Sequence, residues 1–420
     1  MRMHRKSIEL MAPAGSYESL MAAVQGGADT VYFGVENLNM RAGSTTGFTL
    51  GDLERITAIC RGHGIRSCLA LNIVLFDDDM ERMHTLIDTA VEKGVDAVIA
   101  SDMAAILYAR EKGMSVHLST QVNISNTEAL RYFARYADVI VLARELHLGQ
   151  VYTISRAVDE NNICGPSGNK VRLEMFVHGA LCLSVSGKCY MSLHEMNASA
   201  NRGECLQPCR RAYTVRDKET GYELDIDNEY VMSPKDLCTI HFLNKILDTG
   251  VRVLKIEGRA RSAEYVRVVT GCYDEAIHAW CSSDVTPGKI ETWMERLATV
   301  FNRGFWDGYY LGQRLGEWSH QYGSVATRQK TFIGKIHNYY ARIGVAEIMI
   351  QTGSLHQGDE LLIMGPTTGV VETKVTQIRL EQGNTESAVK GEVCSVPVGT
   401  LVRRGDKVYL WMKAERKPGQ

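Results

Sequence analysis

The sequence predicts an α/β protein, a (β/α)8 TIM-like barrel followed by a small C-terminal β-barrel domain. Short apolar strands alternate with amphipathic helices through residues 8–281, and eight such units can be counted. Apolar strands joined by helices pair in parallel with the helices outside. After residue 330 the pattern changes to short alternating strands separated by glycine turns, which is typical of a small β-barrel. A doubly wound open sheet is the alternative, but no G-x-G-x-x-G motif follows the first strand.

The first unit shows how the elements are recognised. Residues 8–15 form an apolar strand, and residues 16–27 place apolar side chains at helical spacing. Ser16 is the expected N-cap of this helix, and Gly26 with Gly27 is its expected end. The same criteria predict seven more strands, in chain order at 28–34, 65–76, 95–101, 114–121, 137–145, 170–179 and 251–258.

Two segments depart from this alternation. The loop at 35–49 is long for a connection without secondary structure, and such loops are usually functional. After the seventh strand a cysteine-rich segment and a polar stretch at 217–230, interpreted as a hairpin or flap, precede a predicted helix at 233–250. We therefore divide the chain into a barrel (1–284) with an inserted loop (178–232), a bridging helix and linker (285–327), and the small β-barrel domain (328–420).

Composition is that of an ordinary soluble protein of 420 residues, 45% of them hydrophobic, with a net charge of -2. This charge gives no global attraction for nucleic acid, so any RNA contact must come from a local patch. No apolar run reaches the roughly 18 residues that span a bilayer. We expect a cytoplasmic protein without membrane contact, in which clustered cysteines are metal ligands or catalytic thiols rather than disulfides.

Four of the 11 cysteines lie between His178 and Arg211, with the spacing C-x6-C-x15-C-x3-C. They are Cys182, Cys189, Cys205 and Cys209. Four thiolates can bind zinc or an iron–sulfur cluster. Structural zinc sites usually use two close pairs, whereas only the last two cysteines form such a pair. The spacing favours a 4Fe–4S cluster, with zinc and unliganded thiols as alternatives and Cys238 as a possible extra ligand.

The active site of a (β/α)8 barrel lies at the carboxyl ends of its strands. Polar residues at the predicted strand ends are therefore candidate catalytic residues, although each alone could equally be a cap or a solvated loop residue. They are Asn72, Gln121, Arg144, Glu145, His178, Glu257 and Arg259, with Ser101, Asp102 and Lys255 nearby. The arginines are suited to binding carboxylate or phosphate. Hydrolase motifs such as G-x-S-x-G and H-E-x-x-H are missing from the sequence.

Several segments together resemble the collagenase-like peptidase family U32, over roughly residues 8–310. They include LKIEGRARSAEYV, and the most specific part is the cysteine block, FVHGALCLSVSGKCYMS and GECLQPCRRAY. The resemblance implies that the four clustered cysteines hold an iron–sulfur cluster. It also implies RNA or quinone hydroxylation: 5-hydroxyuridine at the tRNA wobble position with prephenate, 5-hydroxycytidine in ribosomal RNA, or oxygen-independent ubiquinone synthesis. Chain length is most similar to the tRNA branch.

We therefore expect an iron–sulfur enzyme that hydroxylates tRNA uridine, with tRNA as partner and prephenate as co-substrate. Arg144, Arg259 and Arg41 would be natural partners for the carboxylates of prephenate. A peptidase is the second hypothesis, because the family name suggests it. The third is a non-catalytic RNA-binding or assembly factor that uses the C-terminal domain.

Overall fold

The N-terminal part of the chain is a closed barrel of eight parallel strands. The computed structural model describes residues 4–42, 47–214, 216–221, 232–313, 316–320 and 323–414. Its first nine strands are β1 (Glu9–Pro13), β2 (Thr30–Gly34), β3 (Arg66–Leu71), β4 (Ala97–Ala100), β5 (Ser115–Leu118), β6 (Val139–Val141), β7 (Arg172–Ala180), β8 (Asp236–Cys238) and β9 (Val253–Ile256). Strands β1 to β7 pair in sequence, and β9 closes the ring against β7 and β1. The predicted (β/α)8 barrel is confirmed.

Helices cover the outside of the barrel, apart from one short helix at 191–196 that belongs to the cysteine segment. In chain order they are α1 (Tyr17–Gln25), α2 (Leu53–Gly62), α3 (Met80–Glu92), α4 (Met103–Glu111), α5 (Thr127–Phe133), α6 (Leu148–Glu160), α7 (Met191–Met196), α8 (Leu243–Asp248), α9 (Ala263–Cys281) and α10 (Pro287–Ala298). Ser16 caps α1 by accepting a hydrogen bond from the Ser19 amide, as predicted. Within the part of the chain that the structure describes, none of the helices combines the length and the apolar character that crossing a membrane requires.

Strand β8 corrects the predicted helix at 233–250. Residues 236–238 are extended and pair antiparallel with the end of β7, where His178 lies opposite Cys238. Only residues 243–248 form the α-helix α8. The long strand β7 continues past the barrel rim, where its backbone N–H and C=O groups need partners. Strand β8 supplies these partners. Residues 222–231, most of the predicted hairpin or flap, lie outside the described residues.

The barrel has an apolar layer between strands and helices and a separate small cluster inside. The outer layer contains most of the buried apolar residues. The inner cluster takes alternate residues of four neighbouring strands, because successive side chains point to opposite faces of a strand. Its members are Met11, Tyr32, Cys68, Ala97 and Ile99.

After the barrel, α10 and a short strand β10 (Phe305–Trp306), which pairs with β8, lead to an antiparallel C-terminal sheet. The strands of this C-terminal part are β11 (Arg328–Tyr340), β12 (Val345–Ile350), β13 (Ser354–His356), β14 (Glu360–Gly365), β15 (Gly369–Lys374), β16 (Ile378–Leu380), β17 (Gly383–Thr385), β18 (Ser387–Val389), β19 (Val393–Pro397) and β20 (Lys407–Lys413), and β13 pairs separately with β18. Eight of them form one sheet in the order β15-β14-β20-β11-β12-β19-β16-β17, with an apolar core of its own.

The C-terminal sheet packs on the barrel beside α1 and α9. The Gln25 side chain donates to the Thr368 carbonyl at 2.9 Å and accepts from the Val370 amide at 2.9 Å. Lys330 pairs with Glu264 at 2.7 Å. Apolar side chains of β14, β15 and β20 join the outer core of the barrel, so the two parts share an apolar contact as well as these polar ones.

Candidate active site

A cavity of about 210 Å³ lies at the carboxyl ends of the barrel strands, beneath the cysteine segment. Its lining is strongly basic, with seven cationic side chains and one carboxylate. These are Arg41, Arg144, Arg210, Lys255, Arg259, Arg261 and Arg303, together with Glu257. Charges of one sign in a walled cleft focus the field and raise the local concentration of the opposite charge. The cavity is therefore suited to an anionic ligand.

Nine of the eleven residues predicted for the site line this cavity. They are Asn72, Gln121, Arg144, Glu257, Arg259, Cys182, Cys189, Cys205 and Cys209. Residues far apart in the sequence meet here because the carboxyl ends of all eight parallel strands share one face of the barrel. The chemical roles of these residues remain predictions.

His178 and Glu145 are not among the lining residues. The His178 ring is 2% exposed and is surrounded by Tyr265, Tyr273 and Phe305, with centroid distances of 5.6 to 6.0 Å. Burial and the charge of Arg261 lower the pKa of His178 to about 3, so the imidazole is neutral at physiological pH. It packs beneath the site.

Two other strand-end candidates have different surroundings. Glu145 is exposed to solvent. The carboxylate of Asp102 caps α4 by accepting from the Ala104 amide at 3.0 Å, and it also accepts from the Leu75 amide at 3.2 Å. A strand-end position alone does not show whether a side chain turns into the barrel mouth or away from it.

Glu257 is the acidic centre of the cavity. Its Oε1 accepts two hydrogen bonds from Arg41, at 3.1 Å from Nε and 2.7 Å from Nη2. Tyr32 donates to its Oε2 at 3.3 Å. Burial would raise the pKa of this carboxyl, but the charges of Arg41, Arg144 and Arg259 outweigh burial and lower the pKa to about 2. Arg41 belongs to the long loop at 35–49, which was predicted to be functional.

Arg144 and Arg259 retain capacity to bind a ligand. The Arg144 guanidinium lies 4.0 Å from the centroid of the Phe176 ring, and Nη1 donates to the Ala180 carbonyl at 3.3 Å. Arg259 is 6% exposed and donates from Nη1 to Asn39 at 2.9 Å. In both arginines Nε is buried without a hydrogen-bond partner among the described residues. A buried donor without a partner is costly, and a bound anion would satisfy it.

Lys255 connects the cavity to a buried ionic chain inside the barrel. Its Nζ donates to Glu174 at 2.7 Å, and the second oxygen of Glu174 lies 3.2 Å from Nδ1 of His117. Burial opposes ionisation of Glu174, but Lys255 and His117 together lower its pKa to about 2. Sequence reasoning missed Glu174 and His117. The signal was a titratable residue in the middle of each of two mostly apolar strands.

The cysteine segment is held at the cavity by its own arginines. Arg210 donates to the Leu181 carbonyl at 2.7 Å and to the Pro234 carbonyl at 2.6 Å. Arg202 pairs with Asp79 at 2.7 Å. Gly203 has a φ of +95° and approaches the chain so closely that a Cβ there would lie 2.5 Å from the Asn39 carbonyl oxygen. These contacts explain how a segment with little regular structure keeps a defined position.

The four clustered cysteines suit a metal cluster in their chemistry. All eleven cysteines are free thiols, and these four line the same cavity. Burial raises the pKa of Cys209 to about 11, and the other three thiols influence it electrostatically. In the described part of the chain, no three His, Cys, Asp or Glu side chains stand at the spacing that a single metal ion requires. The donor set fits a thiolate-bound group, while the thiols as placed do not form a single-ion site.

Comparison with known proteins assigns the chain to a family. The model of the family described as "Peptidase family U32" matches residues 15–320. The chain belongs to this family. It is 59% identical over 413 residues to "Collagenase" of Porphyromonas gingivalis, covering 98% of this chain and 100% of that protein.

Two further relatives in the family carry RNA-modification names. "tRNA hydroxylation protein P1" of Bacillus subtilis is 28% identical over 397 residues, covering 93% of this chain and 91% of the relative. "23S rRNA 5-hydroxycytidine C2501 synthase" of Escherichia coli is 32% identical over 320 residues, covering 74% of this chain but 46% of the relative. U32 relatives therefore include proteins named for hydroxylation as well as for proteolysis.

Proposed function

We propose that this protein is an iron–sulfur enzyme that hydroxylates the wobble uridine of tRNA to 5-hydroxyuridine, with prephenate as co-substrate. The observation that carries the proposal is the shared cavity. Four thiols and a strongly cationic set of strand-end side chains line the same space. A redox group and an anionic substrate would therefore meet at one place.

Cys182, Cys189, Cys205 and Cys209 would hold a 4Fe–4S cluster, which supplies redox chemistry when bound. Zinc is the alternative metal that four thiolates could bind. Since burial raises the pKa of Cys209, binding of either group would release its proton.

The remaining side chains would bind and orient the anion. Arg144 and Arg259 each have a buried Nε without a described partner, and Lys255 adds a third charge. Prephenate is a dicarboxylate, so two guanidinium groups and an ammonium could bind both of its carboxylates. Glu257 stays ionised at neutral pH and holds Arg41 in position.

The share of each relative's length that this chain matches favours tRNA over ribosomal RNA as the substrate. The tRNA-named relative matches this chain along 91% of its own length, including the part that aligns with the C-terminal sheet. The ribosomal relative matches along 46% of its length.

Deleting the gene and digesting total tRNA to nucleosides tests the proposal. Mass spectrometry should show that 5-hydroxyuridine is lost and that it returns with the wild-type gene, but not with Cys205→Ser. Unchanged 5-hydroxyuridine in a strain without a second enzyme of this kind would refute it. Loss of 5-hydroxycytidine from ribosomal RNA would move the assignment to the ribosomal alternative.

Anaerobic purification tests the cofactor separately. We expect a brown protein with about four irons per chain, as a 4Fe–4S cluster requires. A colourless protein that contains zinc would contradict the cluster assignment while leaving the thiols as metal ligands.

A peptidase is the second candidate, because a relative at 59% identity is named "Collagenase". Proteolysis needs an activated nucleophile or a catalytic metal with an open position. Among the described residues no histidine lines the cavity, and His178 beneath it is buried and neutral. Purified protein that cleaves denatured collagen, and loses this activity in the Cys182→Ser variant, would favour the peptidase.

A further inference from the structure

Asn39 lies in the long loop after β2, behind the wall of the cavity. It is 3% exposed and does not itself line the cavity, but the next two residues of the loop, Met40 and Arg41, do. Gly34, the last residue of β2, makes room for it, because a Cβ at that position would lie 2.5 Å from Cγ of Asn39. The Asn39 side chain is therefore packed directly against the backbone of β2.

The amide oxygen of Asn39 joins two arginines of the cavity. Oδ1 accepts from Nη1 of Arg259 at 2.9 Å and from the backbone amide of Arg41 at 3.1 Å. Nδ2 donates to the Glu36 carbonyl at 3.0 Å, and this contact directs the amide oxygen towards the two donors. One neutral side chain thereby orients both Arg259 and the part of the loop that carries Arg41.

Arg259 has a neutral partner where a buried arginine usually has a carboxylate. Among the described residues, its guanidinium makes one hydrogen bond, the one to Asn39, and its Nε is buried without a partner. Glu257, the one carboxylate in the described wall of the cavity, forms its ion pair with Arg41. Charged side chains are rarely buried unless they are paired, so the amide leaves Arg259 able to pair with a ligand.

The ion pairs around the cavity show which cations remain for a ligand. Four of the seven described cations have a carboxylate partner: Arg41 with Glu257, Lys255 with Glu174, and Arg261 and Arg303 with Asp236.

The other three cations, Arg144, Arg210 and Arg259, have no carboxylate at ion-pair distance in the described part of the chain. Arg210 uses its donors on the Leu181 and Pro234 carbonyls. Arg144 and Arg259 are therefore the two guanidinium groups whose charge is left for an anion.

We propose that Asn39 is a positioning residue of the anion site, which orients Arg259 through a neutral oxygen and so keeps this guanidinium available to a carboxylate of the ligand. The dicarboxylate as ligand rests on the proposed function. Aspartate at position 39 would offer Arg259 an internal carboxylate that competes with the ligand for the same donors. Alanine would leave the charge of Arg259 but release its orientation. The two substitutions should therefore rank in opposite order for anion binding and for stability.

Isothermal titration calorimetry with the full-length protein, purified anaerobically, tests the proposal. Prephenate is one probe, and inorganic phosphate is an anion that does not depend on the proposed co-substrate. We expect Asn39→Asp to weaken prephenate binding by about tenfold to a hundredfold, because the ligand loses a hydrogen bond to a charged group. Asn39→Ala should weaken binding less, yet lower the thermal unfolding midpoint more, since it removes three hydrogen bonds.

Asn302→Asp is the matched control. Asn302 is also 3% exposed, its Oδ1 accepts from the Gly304 amide at 3.1 Å, and its Nδ2 donates to the Val300 carbonyl at 2.9 Å. It does not line the cavity, and its amide oxygen has no arginine partner among the described residues. We expect unchanged prephenate binding and a larger fall in the unfolding midpoint than in Asn39→Asp, because no guanidinium compensates the new charge.

A double-mutant cycle shows whether Asn39 acts through Arg259. Asn39→Ala should weaken prephenate binding in the wild-type background but add little in an Arg259→Gln background, because the guanidinium that it positions is then already gone. Independent losses in the two backgrounds would mean that Asn39 affects binding by another route, and they would overturn the proposal.

Prephenate and phosphate binding by Asn39→Asp that equals the wild type, or an equal loss in Asn302→Asp, would also overturn it. So would a wild-type protein that binds neither probe. If the wild type binds phosphate but not prephenate, and Asn39→Asp weakens phosphate binding, the positioning role is supported and prephenate fails as co-substrate. If deletion of the gene removes tRNA 5-hydroxyuridine while Asn39→Asp binds prephenate normally, hydroxylation is supported and the positioning role fails.

Discussion

The barrel and the C-terminal sheet bury different kinds of side chain. The barrel buries charged or titratable groups that include Glu9, His117, Glu174, Lys255 and Arg259. In the described part of the C-terminal sheet, Asp406 is the one buried charged side chain, and it accepts from Thr368 and from the Arg403 amide. Burying charge is costly, so a fold that depends only on packing avoids it. The barrel interior therefore contains several paired ionic groups, whereas the core of the sheet is almost entirely apolar.

The largest expected effect comes from substituting cysteines, and it should differ between the barrel and the C-terminal sheet. Cys205→Ser and Cys209→Ser should abolish iron binding and RNA hydroxylation, since each removes a proposed cluster ligand. Cys394→Ala is the matched change in the C-terminal core, where Cys394 is fully buried, and it should leave iron unchanged. Iron per chain and nucleoside mass spectrometry measure the effect. Serine variants that keep their iron would contradict the ligand assignment.

The buried ionic chain should respond differently to single and double substitution. Glu174→Gln alone should lower the free energy of unfolding by about 3–5 kcal/mol, because it leaves Lys255 buried without its partner. Lys255→Met combined with Glu174→Leu should recover most of this loss, yet remain inactive because a cavity charge is gone. Urea unfolding followed by circular dichroism, with activity measured in parallel, separates the two effects. Full activity in the double variant would show that the ionic chain Lys255–Glu174–His117 has only a structural role.

Acid should destabilise the barrel more than the C-terminal sheet. The pKa values of Glu174 and Glu257 are lowered from 4.5 to about 2 in the folded protein. Their contribution is therefore fully present above about pH 4.5 and is lost as the pH falls towards 2, on the order of 3 kcal/mol for each group. Burial raises the pKa of Asp406. Protonation of this group therefore favours the folded state, and its effect on stability has the opposite sign: the C-terminal part gains stability from it as the pH falls.

Hydrogen-exchange mass spectrometry at pH 5 and pH 3, referenced to unfolded peptides, resolves the two parts of the chain. Barrel peptides should lose protection at the lower pH, and Glu257→Gln should reduce that loss. Equal loss of protection in the C-terminal sheet would contradict the prediction that acid destabilises the barrel more than the sheet.

The smallest expected effect lies at the interface between the two parts. Gln25→Ala removes the hydrogen bonds to Thr368, before β15, and to Val370, in β15, and should cost about 1–2 kcal/mol. Gln329→Ala, exposed on β11, is the control and should change little. Thermal unfolding midpoints compare them. No change in Gln25→Ala would mean that the apolar contacts alone hold the two parts together.

Sequence reasoning reached most of the fold because each strand–helix unit is a local pattern. It failed at residues 236–238, where an extended segment was predicted to be helical. The edge of β7 lies far away in sequence, so pairing with it could not be read from local propensity. It also placed His178 and Glu145 at the site by strand-end position, and neither lines the cavity.

The sequence by itself determined the barrel, its order of strands and the group of four cysteines, because apolar periodicity and cysteine spacing act over short distances. Only the tertiary structure decided that Arg41, Glu257 and Tyr32 form one cluster. The same holds for the Lys255–Glu174–His117 chain. These contacts join strands and loops far apart in sequence, and closure of the barrel brings them within hydrogen-bonding distance.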